Sequence, residues 1–247
     1  MSGNLARRSL YTPLLLDVKH IEPCFAYRHR RPDETDANYA ARAAADLETE
    51  ILKLGPETVA AFFAETVGGA TIGAVPAVAD YFRRIRKICD RYGVLLVLDE
   101  VMAGMGRTGR LFAFESEGIV PDLVTCAKGL GAGYQPIGAV IVKDTIHQAI
   151  AAGSGAFRHG FTYNGHAVAC AAGNAVLTQI ESLDLLQRCR SRGEALRERL
   201  NAAFGQHPHV GDIRGRGLFL GLEFVADRVT KSPFEPQAQF AAVLRTA

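Results

Sequence analysis

The sequence predicts an α/β fold, with a mainly parallel sheet sandwiched by helices. Two observations carry that expectation. The runs "TVAAFFAE" (58–65), "VLLVLDE" (94–100), "DLVTCAK" (122–128) and "IGAVIV" (137–142) are continuously apolar rather than alternating, as strands covered on both faces are. Segments of helical periodicity precede the first two runs, and strand–helix–strand order favours parallel pairing.

Taken in order, residues Tyr39, Ala43, Leu47, Ile51 and Leu54 fall on one face of a helix spanning Asp36 to Leu54, and Gly55-Pro56 stops it. The first strand closes on an acid, Glu65, and a Gly-rich loop follows. Val78, Tyr81, Phe82, Ile85 and Cys89 mark a second amphipathic helix that ends near Gly93. From His166 the chain turns helical through about Phe204. "VGDIRGRGLFLGLEFV" (210–225) then gives two short β runs around a Gly-Arg turn, the entry to a smaller α+β domain. The expected division is residues 1–180 as the large domain and 181–247 as a linking helix plus part of the small one. "FAAVLRTA" (240–247) reads as an amphipathic helix. Phe62, Phe63, Phe112 and Phe114 are most simply core.

Composition excludes several classes. With 247 residues, 48% of them hydrophobic, there is chain enough for a real core. A formal net charge of +2 argues against a nucleic-acid surface. No apolar run approaches the ~18 residues of a membrane span, and "MSGNLARRSLYTPLLL" does not read as a signal peptide. The five cysteines form no C-x-x-C pair, which suits reduced thiols in a cytoplasmic protein and gives no reason to expect a metal.

The stretch "LLVLDEVMAGMGRTG" (95–109) admits three readings. A nucleotide hydrolase would need a G-x-x-x-x-G-K-[ST] cradle, and Gly-Lys occurs nowhere in the chain. A dinucleotide turn would need its glycines to open a long helix, but "GRTGRLFAFESEG" supplies barely two turns. The third reading places Asp99 at the end of one buried strand and Lys128 after another, both at the carboxyl edge of a parallel sheet. A carboxylate and a lysine there suit pyridoxal phosphate. The carboxylate keeps the pyridine nitrogen protonated, so that the ring serves as an electron sink, and the lysine forms the Schiff base.

"LLVLDEVMAGMGRTGRLFAFESEGIVPDLVTCAKGLGAGYQPIGAVIV" resembles the signature of the class III, or omega-type, aminotransferases of pyridoxal-phosphate fold type I. The resemblance extends through "HGFTYNGHAVACAAGNAVL" and "DIRGRGLFLGLE". It implies a homodimeric, ping-pong transaminase moving an amino group from an amine or amino acid to a keto acid. By position, Asp99 would pair with the ring nitrogen, Lys128 would carry the cofactor, Val101 would pack on a ring face, and Thr162 would bind the phosphate of the neighbouring subunit's cofactor. Glu65 matches an acid near ring and substrate in many members, although Thr66 stands where the family usually has proline. The resemblance covers the central part of a longer member. The Gly-Ser phosphate cup, the ring-stacking aromatic and the substrate-carboxylate arginine have no counterpart here. Two alternatives stay open: a truncated homologue that folds or dimerises without turnover, and another chemistry such as an aminomutase, racemase or decarboxylase. Arg107 and Arg110 are read as structural or surface groups. Helix capping or backbone hydrogen bonding accounts for His159 and His166 as well as catalysis does.

Overall fold

The computed structural model describes residues 3–235. Its helices are α1 (Leu5–Arg8), α2 (Ala26–His29), α3 (Asp36–Leu54), α4 (Tyr81–Tyr92), α5 (Asp144–Ala152), α6 (Ala167–Ser182) and α7 (Leu185–Phe204). Its strands are β1 (Ala61–Glu65), β2 (Val67–Gly68), β3 (Val75–Pro76), β4 (Leu95–Asp99), β5 (Leu123–Cys126), β6 (Ala139–Val142), β7 (Val210–Arg216) and β8 (Phe219–Phe224). The segment 240–247, expected to be helical, lies outside the described residues. No helix among the described residues is long and apolar enough to cross a membrane.

Four strands form one sheet in the order β1-β4-β5-β6. The first two pairings are parallel, and β6 runs antiparallel to β5. The sheet is therefore mainly parallel, with an antiparallel strand at one edge. Helix α3 starts where the Thr35 hydroxyl accepts the Asn38 amide hydrogen at 3.2 Å, and ends at Gly55, whose φ of +92° breaks the helical path. Its Tyr39, Ala43, Leu47 and Ile51 join Phe82, Ile85 and Cys89 of α4 and Leu96 and Leu98 of β4 in one apolar cluster. Phe62 and Ala64 of β1 pack against it, because alternate residues of a strand share a face.

That alternation corrects one expectation. Phe63 points away from the cluster and is 47% exposed, so it is not core. Helix α4 begins at Tyr81 rather than Val78 because Asp80 holds a left-handed φ of +72°. Leu54, at the last turn of α3, stays outside the cluster. The largest difference lies at β6, where all four residues are exposed although the sequence is continuously apolar. Helix α5, which follows it, buries no residue. The β7–β8 hairpin forms, but Gly215 and Arg216 stay paired in β7 and the turn falls at Gly217-Leu218 rather than at the expected Gly-Arg, with Gly217 at φ +55°.

Candidate active site

The parallel register brings the ends of β1 and β4 together, with Glu65 opposite Asp99. On the far side of β4, Asp99 pairs with Thr125 of β5, so β5 delivers Lys128 to the same edge three residues later. Ala127 is fully extended, and Lys128 then takes a left-handed φ of +45°. For a residue with a side chain this costs about 1–2 kcal/mol. The turn is held by the Leu130 and Gly131 amides, which donate to the carbonyls of Ala127 and Lys128 at 3.0 and 3.1 Å. The Lys128 side chain is exposed.

Glu65 feels the other two charges. Burial pushes the Glu65 carboxyl up from its ordinary range and the Asp99 charge adds to that, while the Gly69 N–H, 2.8 Å from Oε2, and the Lys128 charge pull it down. Asp99 Oδ1 accepts the Val101 amide hydrogen at 2.9 Å, which fixes the carboxylate beside the half-buried Val101. Among the described residues no protein group donates to Oδ2. One carboxylate oxygen is thus left for an outside partner.

The neighbouring acid was missed by the sequence reading. Glu100 is fully buried and accepts from the Thr66 hydroxyl at 2.6 Å and from the Ala113 and Phe114 amides at 2.9 and 3.0 Å. Burial raises its pKa, and these donors oppose the rise. Successive residues leave a strand toward opposite sides, so Asp99 serves the edge while Glu100 ties β4 to the loop beyond it. The adjacent Asp-Glu pair is the one signal that pointed there. Thr66 is itself 1% exposed. Its hydroxyl is spent on this buried carboxylate.

The remaining expectations sort themselves by place. The glycines of "GMGRTG" open no helix; they build a tight reversal in which the Met105 and Gly106 amides donate to Leu111 and Arg110 carbonyls. His166 caps α6, its Nδ1 accepting the Ala169 amide hydrogen at 3.3 Å. Thr162 stands on an exposed turn before α6, and among the described residues no hydrogen bond joins it to Glu65, Asp99 or Lys128. The site therefore assembles Glu65, Asp99, Val101 and Lys128 and leaves Thr162 apart.

Two carboxylates and a lysine thus converge on the carboxyl edge of a mainly parallel α/β sheet, where open α/β folds place their ligands. The family follows directly. A model of the family described as "Aminotransferase class-III" matches residues 9–246, and the chain belongs to that pyridoxal-phosphate-dependent family, with its fold type I architecture. It is 45% identical over 238 residues to an "Aminotransferase" of Gibberella zeae, covering 96% of this chain and 47% of that protein. It is 42% identical over 224 residues to a diaminobutyrate–2-oxoglutarate transaminase of Halomonas elongata, covering 89% and 48%. The solved omega transaminase from Pseudomonas jessenii in complex with PMP superimposes with a TM-score of 0.88 at 37% identity, over 94% of this chain and 51% of that one. The chain spans about half the length of the curated relatives it matches.

The donor set fits the family's cofactor. Asp99 offers an unclaimed carboxylate oxygen for a protonated ring nitrogen, Val101 lies beside it, and Lys128 presents an exposed amine from the adjoining turn.

Proposed function

We propose that these residues form the chemical centre of a pyridoxal-phosphate-dependent transaminase that moves an amino group from an amine or amino acid to a keto acid by a ping-pong route. The convergence of Glu65, Asp99 and Lys128 carries this reading. When bound, the cofactor supplies an electron sink for the carbon that loses its proton. Asp99 holds a proton on the ring nitrogen, because an opposite charge close by favours the charged form. Lys128 would anchor the cofactor through Nζ, and its amine, once freed by the donor, would take the proton from the substrate carbon and pass it to the cofactor carbon bonded to the amino nitrogen. Proton movement by a positioned base contributes roughly 10²–10⁴-fold. Glu65, partly buried beside both, orients the incoming amine.

In this reading the protein works as a homodimer, with residues 1–180 as the cofactor-binding part, 181–247 as the link and small part, and Thr162 reaching the phosphate of the neighbouring subunit's cofactor. The exposed apolar side chains Tyr134, Phe157, Phe161 and Tyr163 support it, since exposed apolar surface marks an interface. Light scattering at micromolar concentration is expected to give twice the chain mass; a stable monomer would sink the dimer.

The test of the chemistry is borohydride reduction after incubation with pyridoxal phosphate, followed by peptide mapping. The pyridoxyl mass is expected on Lys128. Labelling of another lysine ends the assignment.

A further inference from the structure

The β7–β8 hairpin, built by the motif "DIRGRGLFLGLE", packs against the turn that follows β2, and one of its side chains bonds to that turn. Arg214 on β7 is 8% exposed. Its Nε donates to the Gly73 carbonyl at 2.8 Å and its Nη2 to the Ile72 carbonyl at 2.9 Å. The same guanidinium pairs with Glu223 at 2.6 Å and Asp212 at 3.4 Å, and lies over the ring of Phe25. A planar fork of donors is what lets one residue satisfy carbonyls and carboxylates together; a lysine ammonium cannot reproduce it.

Ile72 and Gly73 belong to the turn between β2 and β3. There the Gly73 amide donates to the Gly69 carbonyl at 2.8 Å, and the Gly69 amide donates to Glu65 Oε2 at 2.8 Å. Two glycines make the approach feasible. A Cβ on Gly73 would stand 3.0 Å from Arg214 Nη2, and one on Gly221, opposite Arg214 in the hairpin, would stand 2.5 Å from the Gly73 carbonyl oxygen. The hairpin and the turn therefore meet backbone to backbone.

We propose that Arg214 is a positioning residue for Glu65: by holding the carbonyls of Ile72 and Gly73, it fixes the turn that presents the Gly69 N–H to the Glu65 carboxylate. This linkage belongs to the chain without any ligand. Only its consequence, a fixed orientation of Glu65 toward an amine, rests on the transaminase reading.

The groups that face Glu65 are Asp99 from β4, Lys128 from the turn after β5, and the Gly69 N–H from its own loop. Asp99 and burial favour the neutral acid, whereas Lys128 and the Gly69 N–H favour the carboxylate. Loosening the turn removes the Gly69 donor alone, so the Glu65 titration must move up.

The experiment follows the Glu65 carboxyl by carbon-detected NMR across pH in the full chain without ligand, assigned by its loss in Glu65→Gln. Two variants cut the link differently. Arg214→Lys keeps the charge for Glu223 but loses the fork. Gly221→Ala keeps every charge and wedges the turn off the hairpin. Both are expected to raise the Glu65 midpoint by about one pH unit, tenfold in proton affinity. Arg91→Gln, which breaks the distant Glu48 pair, should leave it unmoved. A Glu65 midpoint unchanged in both variants overturns the proposal. Hydrogen exchange on the unaltered chain decides the matter even if the variants fail to fold. The Gly69 amide should open with the same free energy as the hairpin amides, and a Gly69 amide that exchanges freely while β7 and β8 stay protected overturns the proposal too. Because both readouts use the ligand-free chain, failure of the linkage and failure of the transaminase assignment are separately visible.

Discussion

Strands β4 and β6 both carry apolar runs and differ in environment at most of their positions. Leu96 and Leu98 of β4 are fully buried beneath α3 and α4, whereas Val140, Ile141 and Val142 of β6 are 61%, 47% and 41% exposed. An apolar run states a demand for cover without saying what supplies it. For β4 the supplier lies close by in sequence. For β6 it is not among the described residues, and the antiparallel pairing with β5 satisfies only one side of its backbone. The candidate site straddles this boundary. Its carboxylates, Glu65 and Asp99, end the covered strands, and its amine, Lys128, opens the uncovered stretch.

The widest expected gap between the two regions is in stability. Leu98→Ala removes a fully buried side chain from a packed cluster and should cost about 2–5 kcal/mol. Ile141→Ala removes one already half in water and should cost under about 1 kcal/mol. Urea unfolding of the two variants at one protein concentration measures both. Equal costs would break the comparison and mean that a second molecule covers β6 in solution, which a dependence of the Ile141→Ala cost on protein concentration would reveal.

The covered half was the more legible in sequence. The bounds of α3, the apolar strands and the placing of Asp99 and Lys128 at one sheet edge all follow from periodicity, punctuation by glycine and proline, and the parallel rule. What escaped was decided by partners remote in the chain. Which of Asp99 and Glu100 turns inward depends on the amides of Ala113 and Phe114 arriving from beyond the glycine-rich reversal. The role of Arg214 depends on carbonyls more than 140 residues upstream. Periodicity also carries no strand direction, so the antiparallel sense of β6 was invisible, and the left-handed Asp80 that delays α4 has no glycine to announce it.

A smaller effect separates the two sides of the site. Asp99→Asn keeps shape and the Val101 contact but removes the charge that favours a protonated ring nitrogen. With cofactor bound, the half-reaction with an amine donor should slow by about 10²-fold, near 2.7 kcal/mol of barrier, while borohydride still places the label on Lys128. Single-turnover absorbance measures the first and peptide mapping the second. An unchanged half-reaction rate would show that Asp99 is not the partner of the ring nitrogen.

The smallest expected effect concerns the joint between the regions. Asp122, just before β5, accepts from the Leu96 amide of β4 at 2.8 Å, from Arg86 of α4 at 2.6 Å and from Lys143, which follows β6, at 2.8 Å. One carboxylate thus fastens the exposed strand to the buried one. Burial alone would raise its pKa, but Lys143, the Leu96 N–H and Arg86 together outweigh burial and hold it below the ordinary 3.8. A depressed folded pKa means that the native state binds the proton less readily than the unfolded chain, so the stabilisation is complete well above 3.8 and fades as pH falls through the folded value. Asp122→Asn, with hydrogen bonds to charged groups contributing about 1.5–3 kcal/mol each and partial replacement by the amide, should cost about 2 kcal/mol at neutral pH. The gap between the two proteins should close below about pH 4. Urea unfolding from pH 7 downward tests this, and hydrogen exchange on the same samples locates it. In Asp122→Asn the β6 amides should lose protection before those of β4. Equal loss along both strands would mean that the covered and uncovered halves unfold as one unit, and that Asp122 stabilises the sheet without joining two regions of different strength.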